Sequence, residues 1–161
     1  MFQVFTCLTV EHDLRLVVVA GFVCFLASLS AIDLFHRAQH ARGRSRALWI
    51  VTAGAATGCG IWATHFIAML AYEPGVAVAY NVPMTAVSLL AAILITSAGL
   101  SLAANFEGRP MAAIGGAVLG AGVACTHYLG MWALEVPGHV SWALDLVTTS
   151  VLLGMGFGWP P

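Results

Sequence analysis

Four long runs of apolar residues constrain this chain more than any other feature of its sequence. They cover residues 14–35, 47–71, 82–104 and 111–134. A helix needs about 20 mostly apolar residues to cross the hydrocarbon core of a bilayer. Inside that core the backbone N–H and C=O groups must pair with one another, so each run is expected to be a helix. The sequence therefore predicts an all-α, polytopic transmembrane bundle.

A fifth apolar run, residues 142–158, is shorter and contains Asp145, and it brings the predicted bundle to about five helices. The loops between the runs are too small to form domains, so the whole chain, residues 1–161, is expected to be a single transmembrane domain. Only 8% of the residues are charged, compared with about 25% in soluble domains. The main partner is therefore the lipid bilayer. No basic cluster suited to a nucleic acid is present.

The positive charges predict how the chain is oriented. All six are arginines, and the first loop between spans holds four of them: Arg37, Arg42, Arg44 and Arg46. The third loop holds Arg109, whereas the second and fourth loops hold none. Basic loops mark the cytoplasmic side of a membrane. We therefore expect the N-terminus and the second and fourth loops to lie outside.

The second and fourth spans are copies of one another. Residues 54–73 and 116–135, related by a shift of 62 positions, are identical at nine of twenty positions. The same shift aligns Tyr80 with Trp142 and Ser88 with Ser150, and a related opening occurs at His12 and Asp13. The repeating unit is thus a helix pair, used twice, followed by the first helix of a third copy. Repetition places the second and fourth spans in matching positions, running the same way.

One helix face in each copy carries a histidine and a methionine. Residues four apart lie one above the other on a helix, so His65 and Met69 share a face, as do His127 and Met131. Imidazole and thioether groups suit Cu(I) better than Mg²⁺ or Ca²⁺. These four residues are therefore a candidate copper site. The alternative is that they are ordinary packing and hydrogen-bonding residues of a helix bundle.

Glycines continue the same stripe along each helix. Gly54 and Gly58 fall on the face of His65, and Gly116 and Gly120 fall on the face of His127. Small residues four apart allow the backbones of two membrane helices to approach closely. We therefore expect spans two and four to pack on each other through these glycines, with both imidazoles directed into the bundle.

The motif residues resemble those of a known family. THFIAM at residues 64–69 and THYLGM at residues 126–131 are similar to the motif of the MHYT domain, a bacterial membrane sensor domain built from repeated helix pairs. The similarity extends over residues 11–154 and includes Tyr80-Asn81 and the arginine-rich first loop.

That resemblance implies a sensory role in the bacterial inner membrane without enzymatic activity in this region. It implies copper binding at His65, Met69, His127 and Met131, and through copper the sensing of a diatomic gas or a redox signal. The chain departs from the family pattern at Thr64 and Thr126, where the family has methionine. The signal would pass to a partner protein in trans, and a homo-oligomer is a further option. The rival interpretations are a haem-binding electron-transfer protein, a transporter and an inactive remnant of a sensor.

Overall fold

The computed structural model describes residues 12–72, 78–106, 108–137 and 143–157, and within them the chain forms five helices. These are α1 (Leu14–His40), α2 (Gly43–Ala71), α3 (Val82–Asn105), α4 (Arg109–Trp132) and α5 (Leu144–Phe157). Two short strands, β1 (Ala79–Tyr80) and β2 (Leu134–Glu135), lie in the connections. The predicted all-α helical architecture is confirmed.

Four of these helices, α1 to α4, are long and apolar enough to cross a membrane. All four extend beyond the predicted spans at one end: α1 continues from Phe35 to His40, α2 begins at Gly43 rather than Ala47, α3 ends at Asn105 rather than Ala104, and α4 begins at Arg109 rather than Met111. Helix α4 also ends at Trp132, two residues before the predicted Leu134. An apolar run measures the hydrocarbon core, whereas helical hydrogen bonding continues into the polar interface. Helix α5 has 14 residues, fewer than the roughly 20 that a span requires. Its predicted limits, Trp142 and Gly158, lie outside the described residues.

Helices that follow one another in the chain also lie side by side. The extensive contacts join α1 to α2, α2 to α3, α3 to α4 and α4 to α5, while α2 and α4 touch over a smaller area. Short connections between long helices force this antiparallel arrangement. The large side chains on the outside of α1 are apolar, and Val18, Phe22 and Phe25 are all more than half exposed. Such a surface is suited to lipid.

Asp and Asn are favoured at the N-cap of a helix, so the sequence predicts that Asp13 and Asn81 cap α1 and α3, and the structure confirms both. The Asp13 Oδ1 atom accepts a hydrogen bond of 2.8 Å from the backbone N–H of Arg15. The Asn81 Oδ1 atom accepts one of 3.1 Å from the backbone N–H of Met84. Each cap satisfies a donor that would otherwise lack a partner in the first turn of its helix. We call this side of the bundle the cap end, and the opposite side, where α1 ends and α2 begins, the arginine end.

The two repeats are closed at the cap end by the same backbone hydrogen bond. The N–H of Asp13 donates to the carbonyl of Ala71, and the N–H of Asn81 donates to the carbonyl of Ala133, both at 2.8 Å. A bridge between His12 and Tyr72 accompanies the first bond. The pairing of β1 with β2, Ala79 with Glu135 and Tyr80 with Leu134, accompanies the second. Each helix pair is therefore fixed in register at this end.

The glycine stripes do not join α2 to α4, and that prediction is wrong. A Cβ atom added to Gly54 or Gly58 would lie 2.6 Å from the Cα atom of Ser97 or Ile93, both of which belong to α3. One added to Gly120 would lie 3.0 Å from the Cα atom of Met155 on α5. At Gly54, Gly58 and Gly120 the stripes thus accept the next helix in the chain, because the short connections place that helix alongside.

A buried hydrogen bond reinforces the contact between α2 and α3. The Thr96 hydroxyl is fully buried and lies 2.9 Å from the carbonyl oxygen of Gly54. Because Gly54 has no side chain, α3 approaches closely enough for this contact. The same hydroxyl lies 2.7 Å from the carbonyl oxygen of Ala92 in its own helix, so its single proton is shared between the two acceptors, and the contact with Gly54 adds to a hydroxyl that its own helix already satisfies.

Substituting Gly58 by alanine is expected to destabilise the bundle. The added methyl group would overlap the backbone of Ile93 and Ala92, and overpacking of this kind costs about 1–3 kcal/mol. Gly21→Ala is the matched control, since no atom lies within 4 Å of a Cβ at Gly21. Thermal unfolding in detergent should show a lower midpoint for Gly58→Ala only. Equal midpoints for the two variants would contradict this packing.

Candidate functional site

The motif histidines lie at matching depths in α2 and α4. His65 precedes Ala71 by six residues, and His127 precedes Ala133 by six residues. Ala71 and Ala133 are the acceptors of the two equivalent backbone bonds at the cap end. At 1.5 Å per residue, each imidazole is therefore about 9 Å below that end.

The structure brings the two imidazoles into direct contact. The Nδ1 atoms of His65 and His127 are 3.4 Å apart. The ring centroids are separated by 5.0 Å, and the rings are inclined at 80°. Two neutral imidazoles in this arrangement form an N–H···N hydrogen bond when one Nδ1 carries the proton and the other accepts it. The sequence-predicted pair of histidines is thus one site rather than two.

Gly130 leaves open the space that the His65 ring occupies, a role that was not predicted from the sequence. The Nε2 atom of His65 is buried and has no hydrogen-bond partner among the described residues. A Cβ atom added to Gly130 would overlap Nε2 and lie 2.6 Å from Cδ2 of the same ring. The repeat offered a signal, because Gly130 aligns with Ala68 and is a glycine that the first copy lacks. The contact of α2 with α4 therefore depends on this glycine.

A cavity of about 380 Å³ adjoins the imidazole pair. It opens on the side of the bundle between α1 and α4, and its floor is the face of α2 that carries Thr64 and His65. The lining residues are Cys24, Ala27, Ser28, Thr57, Gly60, Ile61, Thr64, His65, Val123 and His127. Most of this surface is apolar. A small molecule in the cavity would meet the two histidines and Thr64 as its main polar groups, because the Ser28 and Thr57 hydroxyls donate to carbonyls of their own helices.

The two motif threonines have different surroundings. Thr126 is fully buried, and its hydroxyl donates to the carbonyl of Gly122 at 2.8 Å. Thr64 lines the cavity, and its buried Oγ1 atom has no hydrogen-bond partner among the described residues. The two copies of the motif are thus unequal, and only the first offers a hydroxyl to a molecule in the cavity.

The motif methionines lie outside this cavity. Met69 lines a separate cavity of about 250 Å³ at the cap end, together with Tyr72, Val78, Tyr80, Leu134, Val136 and Pro137. Met131 is half-buried near the end of α4. Burial raises the pKa of the Tyr80 hydroxyl, so Tyr80 presents a neutral hydroxyl beside Met69 at ordinary pH. Of the four predicted site residues, the structure therefore joins the two histidines.

The imidazole pair can supply two ligands to one metal ion. At metal–nitrogen distances near 2.05 Å and a tetrahedral angle, two nitrogen ligands are about 3.3 Å apart. The observed separation of 3.4 Å is close to this value. Within the described part of the chain, no group of three or more His, Cys, Asp or Glu side chains surrounds a common point. Further ligands would have to be thioethers, a hydroxyl or an external molecule.

Hydrogen bonds from aromatic residues tie the motif helices to their neighbours. The Trp62 Nε1 atom donates to the Ser88 hydroxyl at 3.1 Å, which joins α2 to α3. The Tyr128 hydroxyl lies 2.6 Å from the Ser150 hydroxyl, which joins α4 to α5. Ser88 and Ser150 are equivalent in the two copies, although their aromatic partners are not. A movement of α2 would therefore displace α3, and a movement of α4 would displace α5.

Comparison with protein families gives a clear match. The MHYT family model, described as a bacterial signalling protein N-terminal repeat, matches residues 58–116 and 120–159. These two matches correspond to the duplication seen in the sequence. No solved structure matches the chain.

Three curated relatives are signalling proteins. A signalling protein of Caulobacter vibrioides is 40% identical over 97% of this chain and 19% of its own length. The bifunctional diguanylate cyclase/cyclic di-GMP phosphodiesterase MucR of Pseudomonas aeruginosa is 36% identical over 81% of this chain and 19% of its own length. The cyclic di-GMP phosphodiesterase NbdA of the same organism is 33% identical over 88% of this chain and 18% of its own length. The chain thus spans about a fifth of the relatives it matches.

Substituting Gly130 by alanine is expected to displace the His65 ring from His127, because the added methyl group would occupy the space of the imidazole. Nitrogen NMR of histidine-labelled protein in micelles should show shifted resonances for His65 and His127, with those of His36 and His40 unchanged. Gly122→Ala on the same helix is the control, since the nearest atoms to its Cβ belong to Ile95 and Thr96 rather than to a histidine, and it should leave both imidazole resonances in place. Unshifted imidazole resonances in Gly130→Ala would refute the contact.

Proposed function

Because this chain belongs to the MHYT family of bacterial signalling proteins, we propose that it is the sensory, membrane-embedded region of a signalling system and has no catalytic activity of its own. Four helices able to cross a membrane support this role.

The output of the proposed sensor is the metabolism of a cyclic dinucleotide. Two relatives carry names that describe synthesis or hydrolysis of cyclic di-GMP. Since the chain corresponds to about a fifth of each relative, the enzymatic step belongs to another unit. That unit is either further sequence in the same polypeptide or a partner protein in trans, and a second copy of the chain would allow it to act as a dimer.

The paired imidazoles are the observation that supports a metal site. We assign His65 and His127 as the ligands of one Cu(I) ion, with the thioethers of Met69 and Met131 as candidates to complete its coordination. The separation of the Nδ1 atoms, 3.4 Å, suits two ligands of one ion. Neutral nitrogen and sulfur ligands favour Cu(I) over harder cations. Burying the additional charge of Cu(II) without an anionic ligand would be costly.

Bound copper would supply a centre for a diatomic gas or for a change of redox state. The protein's own residues perform the remaining tasks. Gly130 leaves space for the His65 ring, and the mostly apolar cavity beside the pair gives a small uncharged molecule space next to it. Any shift of His65 relative to His127 changes the contact of α2 with α4. The hydrogen bonds of Trp62 and Tyr128 then carry the shift to α3 and α5.

The geometry disfavours a haem held between the same histidines. A porphyrin with His65 and His127 as its two axial ligands would have to pass between their rings. The ring centroids are 5.0 Å apart and the Nδ1 atoms are in near contact, which leaves no space for the macrocycle. A copper ion bound by both Nδ1 atoms would not require the two rings to move apart.

Removing either imidazole is expected to abolish tight binding of Cu(I). The measurement is competition with a chromogenic Cu(I) chelator, using the detergent-solubilised chain. His65→Ala and His127→Ala should each lose more than the roughly 10–100-fold in affinity that is typical of removing an outer-shell partner of a metal ligand. His40→Ala is the control, because His40 lies at the arginine end and contacts the carbonyl of His36. Native affinity in a variant that lacks both motif histidines would overturn the assignment.

The unequal threonines give a sharper prediction. Thr64→Met should tighten Cu(I) binding, because residue 64 lines the open cavity beside the imidazoles. Thr126→Met should instead destabilise the protein, because Thr126 is fully buried and a longer side chain has no space there. The same competition assay and thermal unfolding distinguish the two effects. Equal behaviour of the two variants would argue against the cavity as the site.

We propose further that the cap end faces the outside of a bacterial inner membrane. The four arginines of the first loop support this orientation. In a variant without native cysteines, Ser45→Cys marks the arginine end and Val78→Cys marks the cap end. An impermeant thiol reagent added to intact cells should modify position 78 only. Modification of position 45 alone would show the inverse orientation, with the histidines on the cytoplasmic side.

A further inference from the structure

A second cavity, of about 340 Å³, lies between α2 and α3 at the arginine end. Its walls are Gly43, Arg46, Ala47, Ile50 and Val51 from α2, and Ser97, Ala98, Ser101 and Asn105 from α3. It is at the opposite end of the bundle from the histidines and has no part in the copper site. One arginine and three short polar side chains face it, and none of the residues that line it is acidic.

The Nε–H group of Arg46 has no acceptor among the described residues, unlike that of Arg37. Its Nε atom is buried and makes no hydrogen bond to any described residue. By contrast, the Nε atom of Arg37 donates to the Asp33 carboxylate at 2.9 Å, and the Arg37 guanidinium lies over the ring of Trp49 at 5.5 Å. A guanidinium remains charged at any physiological pH. Arg46 is half-buried, and a buried N–H of a charged group without an acceptor is unfavourable, so an anionic acceptor from outside would stabilise it.

The α3 wall supplies further donors. Ser97, Ser101 and Asn105 are spaced four residues apart, which places them on one face of the helix. The Asn105 side-chain amide donates to the Ser101 oxygen at 3.0 Å, so the Ser101 hydroxyl proton can point elsewhere. A fork of guanidinium donors together with hydroxyl groups is a common arrangement for binding phosphate oxygens.

We propose that this cavity binds a phosphate group, through Arg46, Ser97 and Ser101. The neighbouring surface indicates that a phospholipid supplies it. An adjoining groove of about 320 Å³ is lined by Arg44, Ala47, Leu48 and Val51, and Ala47 and Val51 are common to both. A headgroup phosphate beside Arg46 would thus place an acyl chain along the apolar groove. Basic pockets between membrane helices bind anionic headgroups in this way.

The test is a titration of the purified, delipidated full chain with phosphatidylglycerol, with bound lipid counted by native mass spectrometry. Arg46→Gln should weaken binding about tenfold, the loss expected for one charge-assisted hydrogen bond. Arg42→Gln is the matched control, because it removes the same charge from an exposed residue and should change the affinity less than about twofold. Arg46→Lys, which keeps the charge but not the fork, should fall between native and Arg46→Gln, and it serves if Arg46→Gln does not fold.

Two further binding measurements, with diacylglycerol and with inorganic phosphate, identify the source of the phosphate group. Diacylglycerol, which has the acyl chains without the phosphate, should bind more weakly than phosphatidylglycerol. Inorganic phosphate at millimolar concentration should fail to displace the lipid. If inorganic phosphate alone binds in an Arg46-dependent way and displaces the lipid, the phosphate site is supported and its source is the free ion. If Arg46→Gln and native protein bind phosphatidylglycerol equally, or diacylglycerol binds as tightly, the proposal is overturned.

Discussion

A single type of backbone hydrogen bond sets the geometry on which the site depends. In lipid, a helix satisfies its own backbone groups, but nothing in that rule fixes the position of one helix along another. The bond from Asp13 to Ala71 and its copy from Asn81 to Ala133 supply that missing constraint. Each joins the start of one helix to the end of its partner, with the capping side chain holding the donor residue in place. Equal registers place each histidine at the same depth within its own pair, and the packing of α2 on α3 and α4 then brings the two histidines to one level.

Much of the fold could be predicted from the sequence, because the bilayer permits few alternatives. The length of the apolar runs predicts the helices, and the caps at Asp13 and Asn81 predict where two of them begin. The partner of each glycine stripe could not be predicted in the same way. A stripe of small residues indicates close packing, but it does not identify the neighbour. Gly58 contacts Ile93 on α3. The short connection between α2 and α3 keeps these two helices adjacent, whereas the symmetry of the repeats suggested that α2 packs on α4.

The candidate site, too, could be predicted only in part, because the sequence does not show which side chains of neighbouring helices meet. Duplication places His65 and His127 at equivalent positions, and the structure brings them to 3.4 Å. The role of Gly130 could not be derived from helical periodicity, because it depends on where the ring of another helix lies. Nor does a shared helical face decide the direction of a long, flexible thioether, and Met69 lines a different cavity. The repeat predicted the histidine pair, but it also made Thr64 and Thr126 look equivalent, although their surroundings differ.

The cavity beside the imidazoles opens on the side of the bundle, and its rim includes the exposed residues Cys24 and Val123. A molecule that enters by this route comes from the hydrocarbon phase rather than directly from water. Its concentration at the histidines is then set by its partition coefficient between the membrane and the aqueous medium. Uncharged gases dissolve readily in hydrocarbon, whereas hydrated ions are excluded from it. The membrane itself would select what reaches the site, before any residue of the protein makes a contact.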